Sequence, residues 1–167
     1  MFLLLLLAGC ASPSSDVKNA SQASISPTLS LDYIQVESFS SLAGLTVEKN
    51  SLTDAIVSGL NDTGLFQAVS SDPPTNSVKG IKVEADIRAI KRVSDDARTW
   101  AGGFAGRAVV LAHVTITDLN SGRIIQTLDA EGKSGKTAWA GTTDQAIHLA
   151  AAQIVAQVVK INAQTSQ

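Results

Sequence analysis

Cysteine, aromatic residues and net charge are all scarce in this sequence. There is one cysteine, Cys10, among 167 residues, which excludes an intramolecular disulfide, a cysteine-based zinc site and a Cys-x-x-Cys redox pair. Aromatic residues make up 4% of the chain, too few to build base-stacking platforms. Lysine and arginine number 13 against 15 Asp+Glu, a formal net charge of −2, so the chain lacks the basic field that nucleic-acid binding draws on. Long apolar runs are missing too. Met1 to Ala8 are all apolar, but a membrane-spanning helix takes about 20 such residues. What is present is a hydrophobic fraction of 44%, ordinary for one globular domain of roughly 100–200 residues. The mean hydropathy of +0.16 is high for a soluble chain, and nearly all of the excess comes from the nine residues before Cys10.

That opening, MFLLLLLAGC, reads as the apolar stretch of an export signal followed by a small-residue processing site. Leu7-Ala8-Gly9-Cys10 matches the bacterial lipobox, in which the leader is cut before the cysteine and the thiol is diacylated. The usual basic n-region is missing, since Phe2 follows Met1 directly. The expected organisation is a signal peptide over 1–9, a lipidated Cys10 with a flexible tether over 10–30, and a single α+β periplasmic domain over 31–163. The tether assignment rests on Ala11-Ser12-Pro13-Ser14-Ser15 and the Ser, Asn, Gln and Ala that follow, a low-complexity polar composition. Two or three acyl chains bury many methylenes at about 0.8 kcal/mol each, enough for stable attachment. Ala11 stands where enteric lipoproteins retained in the inner membrane carry Asp, so the resemblance implies the outer membrane.

From residue 31 onward the apolar pattern becomes periodic. Alternation predicts strands over 33–39, 65–69, 81–90, 108–117 and 124–131. The clearest is IKVEADIRAI at 81–90, with one apolar and one charged face. Asp118-Leu119-Asn120-Ser121-Gly122-Arg123 predicts a hairpin turn between the last two strands. Leu52, Ile56 and Leu60 place a helix over 47–62, and Ile147, Ala151, Ile154, Val158 and Ile161 a second over 143–161, opened by the capping pattern Thr142-x-x-Gln145. The order β-α-β-β-β-β-α predicts an α+β fold, an antiparallel sheet of about four to five strands with two helices packed on one face.

Chemistry is sparse. Ala130-Glu131-Gly132-Lys133-Ser134-Gly135-Lys136-Thr137 fits a relaxed phosphate-loop pattern. Such a loop must open directly into a helix, however, and Trp139-Ala140-Gly141 intervenes; no nucleotide is expected. The two histidines, His113 and His148, stand alone, and no serine sits in a G-x-S-x-G elbow. No metal, no cofactor and no catalytic residue are therefore expected. The candidate partner-binding loop is Trp100, Gly102, Gly103, Phe104, Gly106 and Arg107. Three glycines around two aromatics would offer those aromatics to a partner protein or the lipid interface, or fold them back onto the core.

With these residues assembled, the chain resembles the bacterial lipoproteins of domain-of-unknown-function family 4410. The resemblance lies in the lipobox, Gly64-Leu65-Phe66-x-x-Val69, the strand at 81–90, the glycine-rich run 102–106 leading into Ala108-Val109-Val110, and the stretch from Asp118-x-x-Ser121-Gly122 to Gly132-Lys133-Ser134-Gly135. The element order is also similar to curli-secretion-type, penicillin-binding-protein-activator and ABC-transport auxiliary lipoproteins. These likenesses imply a non-catalytic, membrane-anchored envelope lipoprotein that binds a protein partner or serves as an auxiliary subunit of an envelope assembly. The alternative is a periplasmic carrier or sensor with a ligand cavity between helices and sheet.

Overall fold

The computed structural model describes residues 17–22, 31–76, 79–92, 107–135 and 141–165. Among the described residues six strands and two helices follow one another: β1 (Val17–Gln22), β2 (Tyr33–Phe39), α1 (Thr46–Asp62), β3 (Ala68–Ser70), β4 (Gly80–Lys91), β5 (Val109–Asp118), β6 (Ile124–Lys133) and α2 (Thr143–Thr165). One sheet holds all the strands in the order β1-β6-β5-β4-β2-β3. Both helices lie side by side on one face of it, as the periodicity predicts.

The α+β class is confirmed, but the sheet is mixed rather than antiparallel. β4, β5 and β6 form the expected antiparallel meander, whereas β2 runs parallel to both β3 and β4. The reason is the helix. α1 carries the chain back to the end of the sheet where β2 began, so the strand after it must run the same way as β2. The expected strand at 65–69 is shorter and later, Ala68–Ser70, and Leu65 is exposed. Part of the segment read as tether is also a strand: β1 pairs antiparallel with β6, Val17 opposite Ala130 and Gln22 opposite Gln126, with a register shift between Lys18 and Ser21.

The core lies between helices and sheet. Ile34 and Val36 of β2, Ile81, Val83, Ala85 and Ile87 of β4, and Val110, Ala112, Val114 and Ile116 of β5 face Leu52, Ile56 and Leu60 of α1 and Ile147, Ile154, Val158 and Ile161 of α2. α2 is long and apolar enough to cross a membrane by length and composition, but this stripe is buried against the sheet and α1. Its close approach depends on Gly132. A Cβ there would stand 1.8 Å from the Ala146 carbonyl oxygen, inside the helix backbone, so the strand admits no side chain at this crossing. Gly122 takes a φ of 68° in the β5–β6 turn, as the hairpin reading requires. Asp118 organises that turn: its Oδ1 accepts from the backbone N–H of Asn120 at 3.1 Å and of Ser121 at 2.6 Å, and from the Ser121 hydroxyl at 2.8 Å.

Candidate functional site

Strand direction gathers several features at one end of the sheet. The register sets Lys91, Val109 and Lys133 side by side, so the β4–β5 and β6–α2 connections both leave from this pole. Of the candidate loop, Arg107 is described, half-buried just before β5, with its Nε buried and without a hydrogen-bond partner among the described residues. Trp100, Gly102, Gly103, Phe104 and Gly106 lie outside the described residues, as does Cys10.

The roots of the two connections are tied together. Ser134 N–H donates to the Ala108 carbonyl at 3.0 Å, while the Ala108 N–H donates to Ser134 Oγ at 2.9 Å. Gly135 N–H donates to Gln145 Oε1 at 2.9 Å, and Gln145 N–H donates to Thr142 Oγ1 at 3.0 Å. One half of the expected capping box therefore forms, Thr142 accepting from Gln145 N–H, while the glutamine side chain holds Gly135 of the incoming loop. Gly132 and Lys133 of the phosphate-loop-like stretch are strand residues, and the glycine serves helix packing.

The same pole holds the start of α1, where Arg92 Nε donates to Glu48 Oε1 at 2.8 Å. Phe39, Leu42 and Val47 stand exposed here, Val47 at 73%, all within one nine-residue stretch. Sequence reading did not select them. The available signal was three large apolar residues at positions where neither the strand nor the helix period needs one.

The sheet face away from the helices is charged and internally paired. Lys82 Nζ lies 2.8 Å from Glu84 Oε1 and 3.0 Å from Glu37 Oε2. Hydrogen bonding to Glu84 raises the Lys82 pKa, burial opposes that, and Glu37 adds to the rise. One cation thus separates two carboxylates that the parallel register puts side by side. On the next row His113 Nδ1 lies 2.8 Å from Asp129 Oδ1. Arg88 Nε lies 2.6 Å from Asp86 Oδ2, and Lys133 Nζ 2.8 Å from Glu131 Oε2. Asp86 is buried, with Oδ1 lacking a partner among the described residues. Lys82–Glu37 and His113–Asp129 are cross-strand pairs, of the kind that stabilises a wet sheet face, while Lys82–Glu84, Arg88–Asp86 and Lys133–Glu131 join neighbours on one strand. Among the described residues no group of three or more His, Cys, Asp or Glu is placed to hold a metal ion.

Two recesses are lined by described residues. A groove of about 510 Å³ runs along the outer seam of the helices, between Ala55, Gly59 and Asp62 of α1 and His148, Ala152 and Val155 of α2. A polar recess of about 450 Å³ lies between β2 and α1, edged by Glu37, Ser38, Asn50, Asp54 and Ser71. The first lies outside the helix layer; the second opens between α1 and the β2 side of the sheet and is edged mainly by polar and charged side chains.

Two helices on one face of a mixed six-stranded sheet, with the other face charged and open, define a small α+β sandwich domain. The chain belongs to the DUF4410 family, a domain of unknown function, whose pattern matches residues 14–158. That match takes in β1, in agreement with its place in the sheet. Among solved structures the fold is similar to the PelC dodecamer from Paraburkholderia phytofirmans, at 13% identity and a TM-score of 0.58 over 82% of this chain and 94% of that one. It is also similar to protein XCC0632 from Xanthomonas campestris, of the DUF330 family, at 15% identity and a TM-score of 0.54 over 93% and 97% of the two chains. At such identities the likeness is one of fold. No curated protein sequence matches the chain.

Proposed function

We propose that the chain is a non-catalytic lipoprotein of the bacterial cell envelope, anchored through acyl chains on Cys10 and acting as a partner-binding or auxiliary subunit of an envelope assembly. The observation that carries the reading is Leu7-Ala8-Gly9-Cys10 behind a leucine run, ahead of a domain that folds from residue 17 onward. The outer membrane is the favoured site, on Ala11 after the cysteine. The fold it shares with PelC, a dodecamer, supports a role in assembly. The partner surface is the pole from which the connection containing Trp100 and Phe104 departs. Against the carrier alternative stands the packed centre of the helix–sheet interface, where Ile34, Val83, Leu52 and Ile154 are fully buried.

The test is Cys10→Ser in cells. The native chain is expected in the membrane fraction and labelled by radioactive palmitate, the variant in the soluble fraction and unlabelled. A variant that stays with membranes and still takes up palmitate would overturn the anchor.

A further inference from the structure

The direction of β1 says which end of the molecule meets the membrane. β1 is antiparallel to β6, with Val17 opposite Ala130 and Gln22 opposite Gln126. Followed back from Gln22 to Val17, β1 therefore points toward the Lys133 end of β6, the pole that carries Phe39, Leu42 and Val47. Cys10 lies seven residues before Val17 in sequence, and seven residues span at most about 25 Å. The Lys133 end is about 10 Å ahead of Val17 and the Ile124 end about 20 Å behind it, at roughly 3.3 Å per strand residue.

Charge is distributed in the same sense. From the level of Phe39 and its register partner Asp86 outward, the helices, β2, β4–β6 and the residues adjoining them place Lys49, Arg88, Lys91, Arg92, Arg107 and Lys133 at this pole against Glu48, Asp86, Asp129, Glu131 and Asp144. The opposite pole holds Asp32, Asp62, Asp72 and Asp118 against Lys79, Arg123 and Lys160. Both helices also begin at the first pole, presenting the positive ends of their dipoles. Exposed apolar residues among cations are what an anionic bilayer interface favours.

We propose that this pole is the bilayer-facing end of the molecule: Phe39, Leu42 and Val47 enter the interfacial layer of an anionic leaflet, and Lys49 and Lys91 lie at its headgroups. The proposal rests on the reading of Cys10 as the anchor. It also means that a partner engaged at this pole is met at the membrane surface.

The experiment uses the full chain, purified from membranes, with one added cysteine for a nitroxide label: Leu42→Cys or Val47→Cys at this pole, Leu65→Cys at the other. Each is exposed, and circular dichroism checks the fold. In phosphatidylethanolamine–phosphatidylglycerol vesicles the labels at 42 and 47 are expected to be about threefold or more less accessible to a water-soluble nickel chelate than the label at 65, while staying accessible to oxygen. Equal, water-like accessibility at all three positions overturns the proposal, as does shielding at 65 instead. Shielding at 42 and 47 from both reagents overturns it in favour of a second copy or another protein over the pole. The mass of the N-terminal peptide decides separately whether Cys10 is acylated, and the labels are read on the vesicles in either case.

Discussion

At the residue scale, the most connected side chain is Asp118. Its carboxylate is buried, at 8% exposure, yet its pKa is lowered. Burial alone pushes it up, and the Ser121 N–H and hydroxyl and the Asn120 N–H, helped by the charge of Arg123, outweigh that. A carboxyl with a depressed folded pKa contributes stability that is complete above its unfolded value, near 3.8, and is lost as pH falls through the folded value. Asp118→Asn keeps an acceptor oxygen but loses the charge, and charge-assisted hydrogen bonds are the stronger ones. The variant is expected to be about 1–2 kcal/mol less stable than the native domain at pH 7. Urea unfolding at pH 7, 4 and 3 checks this: the gap should narrow at the acid end, and a gap that is constant or widens there would show that the charge plays no part. The turn itself was legible, since Asp118 to Arg123 has the composition of a hairpin and Gly122 takes the expected positive φ. That Asp118 holds three donors was not, because nothing in the composition of a turn says which polar atom faces inward.

At the element scale, β6 and α2 are joined by a device that periodicity conceals. Gln153 is buried on the helix among Ala150, Ala151 and Ile154. Its Nε2 donates to the Glu131 carbonyl at 2.7 Å and its Oε1 accepts the Glu131 N–H at 3.1 Å. Among the described residues the pairing of β1 with β6 reaches to Ala130; one residue further on, the glutamine amide meets the Glu131 N–H and carbonyl as a strand would. Gln153→Leu keeps the volume and removes both hydrogen bonds, an expected loss of about 2–3 kcal/mol, whereas Gln153→Glu should recover only the donor from Glu131. Thermal unfolding of the two variants checks this, and an unchanged melting temperature for the leucine variant would refute it. Strands with one wet face, such as β4 and β5, were plain in the sequence because alternation records burial. Strand direction was not, since alternation is the same in parallel and antiparallel pairs, and the mixed sheet follows only from counting which connection holds a helix. Nothing in the sequence singles out Gln153, because helix periodicity cannot distinguish a polar side chain facing water from one facing an unfinished strand edge.

At the scale of the whole molecule, the two readings of residues 17–22 make opposite predictions. Their sequence, VKNASQ, has no apolar alternation, and composition alone assigns it to the tether. In the fold it is the strand that closes the β6 side of the sheet. β6 spans Ile124–Lys133 and carries Ile124, Ile125 and Leu128, and such a strand, left at an edge, presents unpaired backbone groups beside apolar side chains, a template for association. A polar strand suits this place, because it satisfies the edge while offering little to the next molecule. A chain beginning at Ala11 is therefore expected to be stable and well behaved, while one beginning at Ser24 should lose about 1–3 kcal/mol and associate. Sedimentation velocity across a tenfold concentration range, together with urea unfolding of both chains, separates the readings. If the shorter chain keeps the same midpoint and the same sedimentation coefficient at every concentration, residues 17–22 are tether. If it weakens and self-associates, the segment is part of the domain, and the anchor is joined to the sheet by only the few residues between Cys10 and Val17. A link of that length has about 15 Å to spare at the Lys133 end and about 5 Å at the Ile124 end, so the strand order of the sheet favours the Lys133 pole as the one that meets a bilayer.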